Sequence, residues 1–350
     1  MPMKKLAVPE DDELLRQVLR ITPEPFVYFD EFQVHRILTR DPSEYLGFLH
    51  GQLDDIARGK AQLELPPKQI FHDPLDDADF RVMPCVVRMS GAACKTVKII
   101  GTNTLQETIP DQITVGKAFV IDSRENFVSH IFEACLLSSA RTGACAALAI
   151  KLLAPARNTL TVIGAGRVGY YAALYTASLG GVEVIRIADA DHGRATQTAA
   201  LLAVRLCGPR VDAISLEDLP DTDIAILATT SREPLCQPPG WGAGLVISLG
   251  ADTDNQREVA PEWVGRADIF VDTVDSARFG DLAAWQRAGL ITQETLVDLF
   301  DVLRQGSLPP ASRPRVFIST GSALFDNLTI AYILDQVARQ EPGVSATPPR

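Results

Sequence analysis

The chain has 350 residues, of which 46 % are apolar and 22 % charged, long enough for roughly two domains with full cores. Those proportions exclude a disordered chain, a fibrous repeat and a small disulfide-stapled scaffold. The net charge of −11 has the wrong sign for the surface at large to attract a phosphate backbone, so nucleic acid is not an expected partner.

The N-terminal MPMKKLAVPEDDELL carries two lysines but no apolar run before its acidic residues, so no signal peptide is expected. Segment 11–20 reads as a helix, 26–30 alternates as a strand, and 42–62 places apolar residues at 45, 46, 48, 49, 53 and 56 on one helical stripe. After the prolines at 66 and 67 come strand-like pieces around FRVMPCVV and KTVKIIG. KAFVIDSRENFV then reads as a hairpin with DSREN at its turn.

From about residue 135 the pattern changes to strand, glycine turn and helix, repeated. A small-residue helix, SSARTGACAALAIKLLA, leads to the strand LTVI and to the helix YYAALYTASL. Strands follow at 183–189, 223–230, 244–251 and 268–273, with the helix GRATQTAALLAVRL between the first two. Apolar strands alternating with helices indicate βαβ units and a parallel sheet covered on both faces. RVFISTGS at 315–322 gives one more strand, FDNLTIAYILDQVARQ a closing helix, and the final ten residues a frayed tail.

The uncharged stretches 168–182 and 234–251 are broken by Gly, Ser, Thr and Pro and do not match the roughly 20 apolar residues of a membrane span. Six cysteines, at 85, 94, 135, 145, 207 and 236, show no C-x-x-C spacing and read as small buried apolar residues. A cytoplasmic enzyme with no membrane contact is the expected class. The histidines at 35, 50, 72, 130 and 192 show no ligand-like pairing, so no metal site is expected.

Gly164, Gly166 and Gly169 form GxGxxG between strand LTVI and helix VGYYAALY. The first glycine permits the tight turn, the second lets the backbone approach a pyrophosphate, and the third lets helix and strand pack closely. The helix N-terminus presents free N–H groups to the anion. Asp189 ends the next strand 20 residues past Gly169, where a carboxylate would accept hydrogen bonds from ribose hydroxyls. Carboxylates at Asp189 and Asp191 with no arginine immediately beside them favour NAD over NADP. Arg167, inside the loop, is placed either to contact the pyrophosphate or to stand exposed at a helix start.

These residues, with Met83-Pro84, VKIIGTN at 97–103, SSARTGACAALAIKLLA at 138–154, LATTSREPL at 227–235, SLGADTDNQREV at 248–259, RADIFVD at 266–272 and STGSALFDNLTIAYIL at 319–334, resemble the ornithine cyclodeaminase/mu-crystallin family. The resemblance implies an α/β fold: a Rossmann NAD-binding domain, residues 136–314, inserted into an α+β substrate-binding and dimerisation domain made of residues 1–135 and 315–350. A homodimer acting on a small amino-acid substrate is implied with it.

Three positions carry the chemistry that the resemblance implies. Arg141 opens the RTGA segment, and its planar fork suits bidentate capture of a carboxylate. Lys98 matches the catalytic-strand lysine, with Lys95 as its rival, since a strand places 95 and 98 on opposite faces. Asp252 matches the acidic residue that handles the amine or activates water, with Asp254 close enough to compete. TDNQ after GAD departs from the family's usual proline and glycine. Lys68, Met83 and Ser322 are the further substrate-binding candidates implied, and Asp326 is placed near the cofactor or at the cap of the last helix. Thr142, Val168, Thr229, Ser231, Ser248 and Gly250 join Gly164, Gly166, Arg167, Gly169 and Asp189 as cofactor-binding candidates.

The reaction implied is oxidation or reduction at the Cα–N bond of an amino acid or imine. Within the family, PPKQIFHDP, RVMP, EACLLSSARTGA and GLITQETLVDLFDVLRQG look most like the 2,3-diaminopropionate-forming dehydrogenase of siderophore biosynthesis. That enzyme hydrolyses an oxidised N-(2-amino-2-carboxyethyl)glutamate to 2,3-diaminopropionate and 2-oxoglutarate. GADTDNQREV and STGSALFDN look more like an ornithine or lysine cyclodeaminase or an amino-acid dehydrogenase. A cyclic ketimine reductase and a non-catalytic mu-crystallin-like binding protein remain alternatives.

Overall fold

The computed structural model describes residues 17–20, 22–73, 78–89, 91–236, 242–253, 255–306 and 308–340. Most of the helix expected at 11–20, the tail 341–350 and Asp254 lie outside them.

The first layer is a seven-stranded mixed sheet. Its strands are β1 (Val27–Phe29), β2 (Gln62–Glu64), β3 (Gln69–Asp73), β4 (Ala78–Met89), β5 (Ala92–Thr102), β6 (Thr114–Ile121) and β7 (Val128–Glu133), in the order β1-β7-β6-β5-β4-β2, with β3 also on β4. β1 joins in parallel and the remaining pairs are antiparallel. Burial alternates strictly along β4, where Arg81, Met83, Cys85 and Val87 point inward, the period-2 signature of a sheet with one packed face. The register sets Met83 opposite Lys98 and Arg81 opposite Ile100, so all four side chains share that face.

Two helices lie between β1 and β2, α1 (Glu31–Arg40) and α2 (Pro42–Ala57). The sequence reading missed α1, although its start is written locally. Asp30 accepts the N–H of Gln33, and Gln33 returns a bond to the Asp30 N–H, a capping box that offers two orphan donors partners.

The second layer is an eight-stranded parallel sheet built from β8 (Thr159–Ile163), β9 (Val184–Ala188), β10 (Arg210–Ala213), β11 (Thr222–Leu227), β12 (Ala243–Ser248), β13 (Asp268–Val271), β14 (Val297–Asp298) and β15 (Arg315–Ile318). Its order, β10-β9-β8-β11-β12-β15-β13-β14, contains the doubly wound 3-2-1-4-5 sequence, whose direction reverses between β8 and β11. β15, expected to complete the first domain, instead pairs with β12 and β13 inside this sheet. Four consecutive buried residues suit it to that central place.

Helix α3 (Ala134–Leu153) joins the layers, packing against α4 (Arg167–Ser178), β6 and the last helix, α8 (Ala323–Gln340). It is long and apolar enough to cross a membrane by composition, but 72 % of its apolar window is buried within the fold. Helices α5 (His192–Arg205), α6 (Gly280–Arg287) and α7 (Leu299–Gln305) complete the structure. α8 packs on the inner face of β4 and β5. Asn327 fixes it there, donating from Nδ2 to the Cys94 carbonyl at 3.0 Å and to Thr96 Oγ1 at 2.9 Å. Residue 326, one step earlier, is thereby held beside Lys98.

Candidate active site

A cavity of about 650 Å³ opens between the two layers. Its floor is formed by the turns that follow β8, β11 and β12, represented by Gly166, Thr229 and Gly250. These are the carboxyl ends of strands at the reversal of strand order, where open α/β sheets receive ligands.

The glycine turn has the geometry that its spacing predicts. Gly164 has φ +106°, and a Cβ there would come within 2.2 Å of the Ala228 carbonyl oxygen. A Cβ on Gly169 would meet the Gly164 carbonyl at 1.9 Å, whereas one on Gly166 would meet nothing within 4 Å. The second glycine therefore faces open space, as a backbone that receives a pyrophosphate must. α4 starts at this point with no side chain capping it, which leaves its first N–H groups and positive dipole end facing the cavity. Asp189 accepts the N–H of Ala165 at 2.7 Å and of Asp191 at 2.9 Å, tying the glycine turn to the end of β9. The residues present fit a dinucleotide.

The cavity lining is unusually cationic for an acidic protein. Among the described lining residues six are cations, Lys68, Arg81, Lys98, Arg141, Arg167 and Arg194, against the carboxylates Asp79, Asp111 and Asp252. Deepest lies a buried triad. Asp326 Oδ2 pairs with Lys98 Nζ at 2.8 Å, and Asp326 Oδ1 accepts from Arg141 Nε at 2.8 Å. Lys98 is 2 % exposed and Asp326 1 %. Ser138 Oγ, one turn before Arg141 on α3, accepts from Arg141 Nη2 at 3.0 Å and from Lys98 at 3.3 Å.

Two cations share one carboxylate here, so the cluster holds a net positive charge away from water. Burial is costly for such a charge, and it pulls the Lys98 ammonium below its ordinary value despite the opposing pull of Asp326. Burial also acts to raise Asp326, but Arg141 and Lys98 outweigh it and hold that carboxyl low. An incoming carboxylate would supply the missing negative charge.

A second chain of ion pairs lies nearer the rim. Arg81 binds Asp79 through Nε at 2.8 Å and Nη2 at 3.0 Å, and donates from Nη1 to Asp252 at 2.5 Å. Burial would raise the Asp252 carboxyl, but the Arg81 and Lys68 charges prevail and hold it below its ordinary value. Lys68 donates to the Thr320 carbonyl at 2.8 Å and sits 3.6 Å from the centroid of the Phe279 ring. Burial brings its pKa down to about 8, against the opposing pull of Asp252. Perturbed charges that converge on one cleft mark a functional site.

Known proteins bear on this arrangement. The model of the ornithine cyclodeaminase/mu-crystallin family matches residues 33–341. The chain belongs to that family. It is 29 % identical over 282 residues to the NAD(P)H-dependent anabolic L-arginine dehydrogenase of Pseudomonas aeruginosa, covering 78 % of this chain and 85 % of that one. It is 29 % identical over 244 residues to the iminosuccinate reductase of Paracoccus denitrificans, covering 68 % and 74 %. Its fold superposes with a TM-score of 0.80, at 18 % identity, on Thermococcus litoralis Δ1-pyrroline-2-carboxylate reductase in complex with NADH and L-proline, covering 93 % of this chain and all of the other.

The family's expected site residues fall into three groups. Lys68, Met83, Lys98, Arg141 and Asp252 line one cavity together with Thr142, Gly166, Arg167, Val168, Thr229 and Gly250. Gly164, Gly169 and Asp189 shape or brace the glycine turn from behind. Ser231, Ser248 and Ser322 do not line the cavity: Ser231 bonds the Glu233 carbonyl, Ser248 is fully buried against Glu258, and Ser322 accepts the N–H of Leu324 at the start of α8. Arg167 lines the cavity while pairing with Glu31 at 2.9 Å.

The rivalry between lysines has a geometric outcome. Lys95 leaves the site altogether and binds the β6–β7 turn, donating to the Ser123 carbonyl at 3.0 Å and Asn126 Oδ1 at 2.7 Å. Two lining cations escaped the sequence reading. Arg81 lies two positions before Met83, and strand periodicity alone aims both the same way. Arg194, five residues past Asp189, lies on α5 and lines the cavity on the side of the glycine turn. Among the described residues no group of three His, Cys, Asp or Glu side chains is disposed to hold a metal ion.

Proposed function

We propose that the chain is an NAD-dependent oxidoreductase acting at the Cα–N bond of an amino acid. The observation that carries this reading is the meeting, in one cavity, of the glycine-turn crevice and the buried Lys98–Asp326–Arg141 triad. The glycine turn and the N-terminus of α4 would hold the pyrophosphate, Asp189 the adenosine ribose, and Thr229 and Gly250 the far half of the dinucleotide. NAD bound there supplies the two-electron redox chemistry of the Cα–N bond. Arg141, with Lys98 and Lys68, would fix the substrate α-carboxylate. Asp252 would stabilise positive charge developing on nitrogen and move its proton.

The substrate we favour is of the N-(2-amino-2-carboxyethyl)glutamate type. The cations Lys68, Arg81, Lys98 and Arg141, gathered on the side of the cavity away from the glycine turn, support a ligand with several carboxylates. Oxidation of its secondary amine to an imine, followed by addition of water, would release 2,3-diaminopropionate and 2-oxoglutarate, with NADH leaving separately. The paired carboxylates Asp79 and Asp252 support a second reading, a cyclodeaminase, since they could receive the side-chain ammonium of ornithine or lysine. Mixing the protein with NAD and each substrate separates the readings. NADH appearing with 2-oxoglutarate is the expected result, and ammonia without net NADH would favour the cyclodeaminase. NAD binding without turnover of any amino acid or imine would sink both and leave a binding protein.

A homodimer belongs to the same proposal. Phe71 and Phe80 stack with ring centroids 4.7 Å apart on the outer face of the mixed sheet. Ile99 stands opposite Val82 on the same face, and Phe71, Phe80 and Ile99 are exposed. A second copy would cover this apolar face. Light scattering at micromolar concentration is expected to give twice the chain mass, and Phe80→Asp with Ile99→Asp is expected to give monomers. A monomeric wild type would end the dimer proposal.

A further inference from the structure

We propose that Glu258, which does not line the cavity, is the positioning residue for the nicotinamide half of the cofactor. Glu258 is fully buried, with no cation among the described residues bonded to its carboxylate. Its negative charge is instead met by donors from two turns. Oε1 accepts the Thr229 N–H at 2.7 Å and the Thr229 hydroxyl at 2.9 Å. Oε2 accepts the Ser248 hydroxyl at 2.7 Å, the Leu249 N–H at 3.1 Å and the Gly250 N–H at 2.8 Å.

One carboxylate thus clamps the turn after β11 to the turn after β12. The approach is close: a Cβ on Gly250 would lie 2.6 Å from Glu258 Oε1 and 1.9 Å from the Thr229 carbonyl. Glu258 is itself fixed from behind by Asp281 on α6, whose Oδ2 accepts the N–H of Glu258 at 3.0 Å and of Val259 at 3.1 Å.

The position of the clamp gives it a selective effect. The inference rests on the reading that the cavity holds NAD. Asp189 and the glycine turn, on β9 and β8, would hold the adenosine and pyrophosphate side of the crevice, and none of their hydrogen bonds involves Glu258. β11 and β12 lie on the other side of the reversal point, where the second mononucleotide half belongs. Gly250 also carries the next step of the chain, since its carbonyl accepts the Asp252 N–H at 2.9 Å. The same clamp therefore sets the spacing between the nicotinamide floor and the Asp252 carboxylate, and a 1 Å error in such a spacing costs about 100-fold in rate.

Glutamine cannot replace the carboxylate. Both oxygens face backbone N–H groups, so an amide NH2 on either side would point a donor at a donor. Binding of NADH and of ADP-ribose, which lacks the nicotinamide ring, separates positioning from general damage. Glu258→Gln is expected to weaken NADH binding at least tenfold while ADP-ribose binding stays within twofold, measured by titration calorimetry. Unchanged NADH affinity would overturn the proposal, and so would equal loss of both ligands. If Glu258→Gln does not fold, Ser248→Ala, which removes one donor to Oε2, is expected to show the same selectivity at smaller size. Equal losses or none in that variant overturn the proposal too. Failure of the wild type to bind NADH would instead remove the reading that the cavity holds NAD.

Discussion

Replacing Arg141 by alanine is expected to lower kcat/KM for the amino-acid substrate by about two to three orders of magnitude, mostly through KM. Truncating one partner of a buried, hydrogen-bonded charge pair costs about 2 to 5 kcal/mol in affinity, and each 1.4 kcal/mol is about tenfold. The size of the effect follows from position. Arg141 is buried in the middle of α3, and one edge of its guanidinium is committed to Asp326 and Ser138. Gly321, at the cavity, approaches the group closely, so that a Cβ there would sit 3.2 Å from Nη2. Arg141→Lys keeps the charge but loses the fork and is expected to fall between alanine and wild type. Asp326 retains Lys98 as a partner in both variants, so the fold should persist, and a thermal melt checks that it does. Unchanged KM and kcat in Arg141→Ala would remove this residue from the site.

The fold was largely legible in the sequence because its elements are locally consistent. Strands 159–163, 222–227 and 243–248 are apolar runs between turn residues, and the glycine spacing needs only backbone sterics to be understood. What the sequence hid was relational. The place of β15 depends on pairing with β12 and β13, and a strand of one arginine and three apolar residues carries no mark of which sheet it joins. Lys98 and Met83 could be singled out by resemblance, yet that they stand directly opposite each other is a property of β4–β5 register. Arg81 was readable by alternation from Met83, and Asp79 by the same alternation, but the second carboxylate partner comes from position 252, which no periodicity connects to them. Glu258 had no local signal at all, because its role comes from five donors on two turns that meet only in the folded chain.

The carboxylate at 252 is expected to matter as much as the anchor, with a different kinetic signature. Asp252→Asn should lower kcat by about 100- to 10,000-fold, the range for a positioned acid or base, while the KM set by Arg141 changes little. The variant keeps an oxygen to accept from Arg81, so the loss measures the charge and the proton rather than the scaffold. The pH profile tests the cause. Asp252 acts as a carboxylate, so its protonation lowers kcat/KM as pH drops through its pKa. With Arg81 and Lys68 holding that pKa below the usual carboxylate value, the acid limb should lie below the range in which carboxylates ordinarily titrate. Arg81→Met removes the larger of the two attractions and leaves burial to act, so the limb should move upward into the measurable range. On the basic side Lys68 and Lys98 bind a carboxylate as ammonium groups, and their pKa of about 8 in the free protein predicts that kcat/KM declines as pH rises through that value. Substrate carboxylate beside them would raise the pKa in the complex, so the limb in kcat should lie at higher pH than the limb in kcat/KM. An acid limb that stays in place in Arg81→Met would show that Asp252 does not carry the titrating charge.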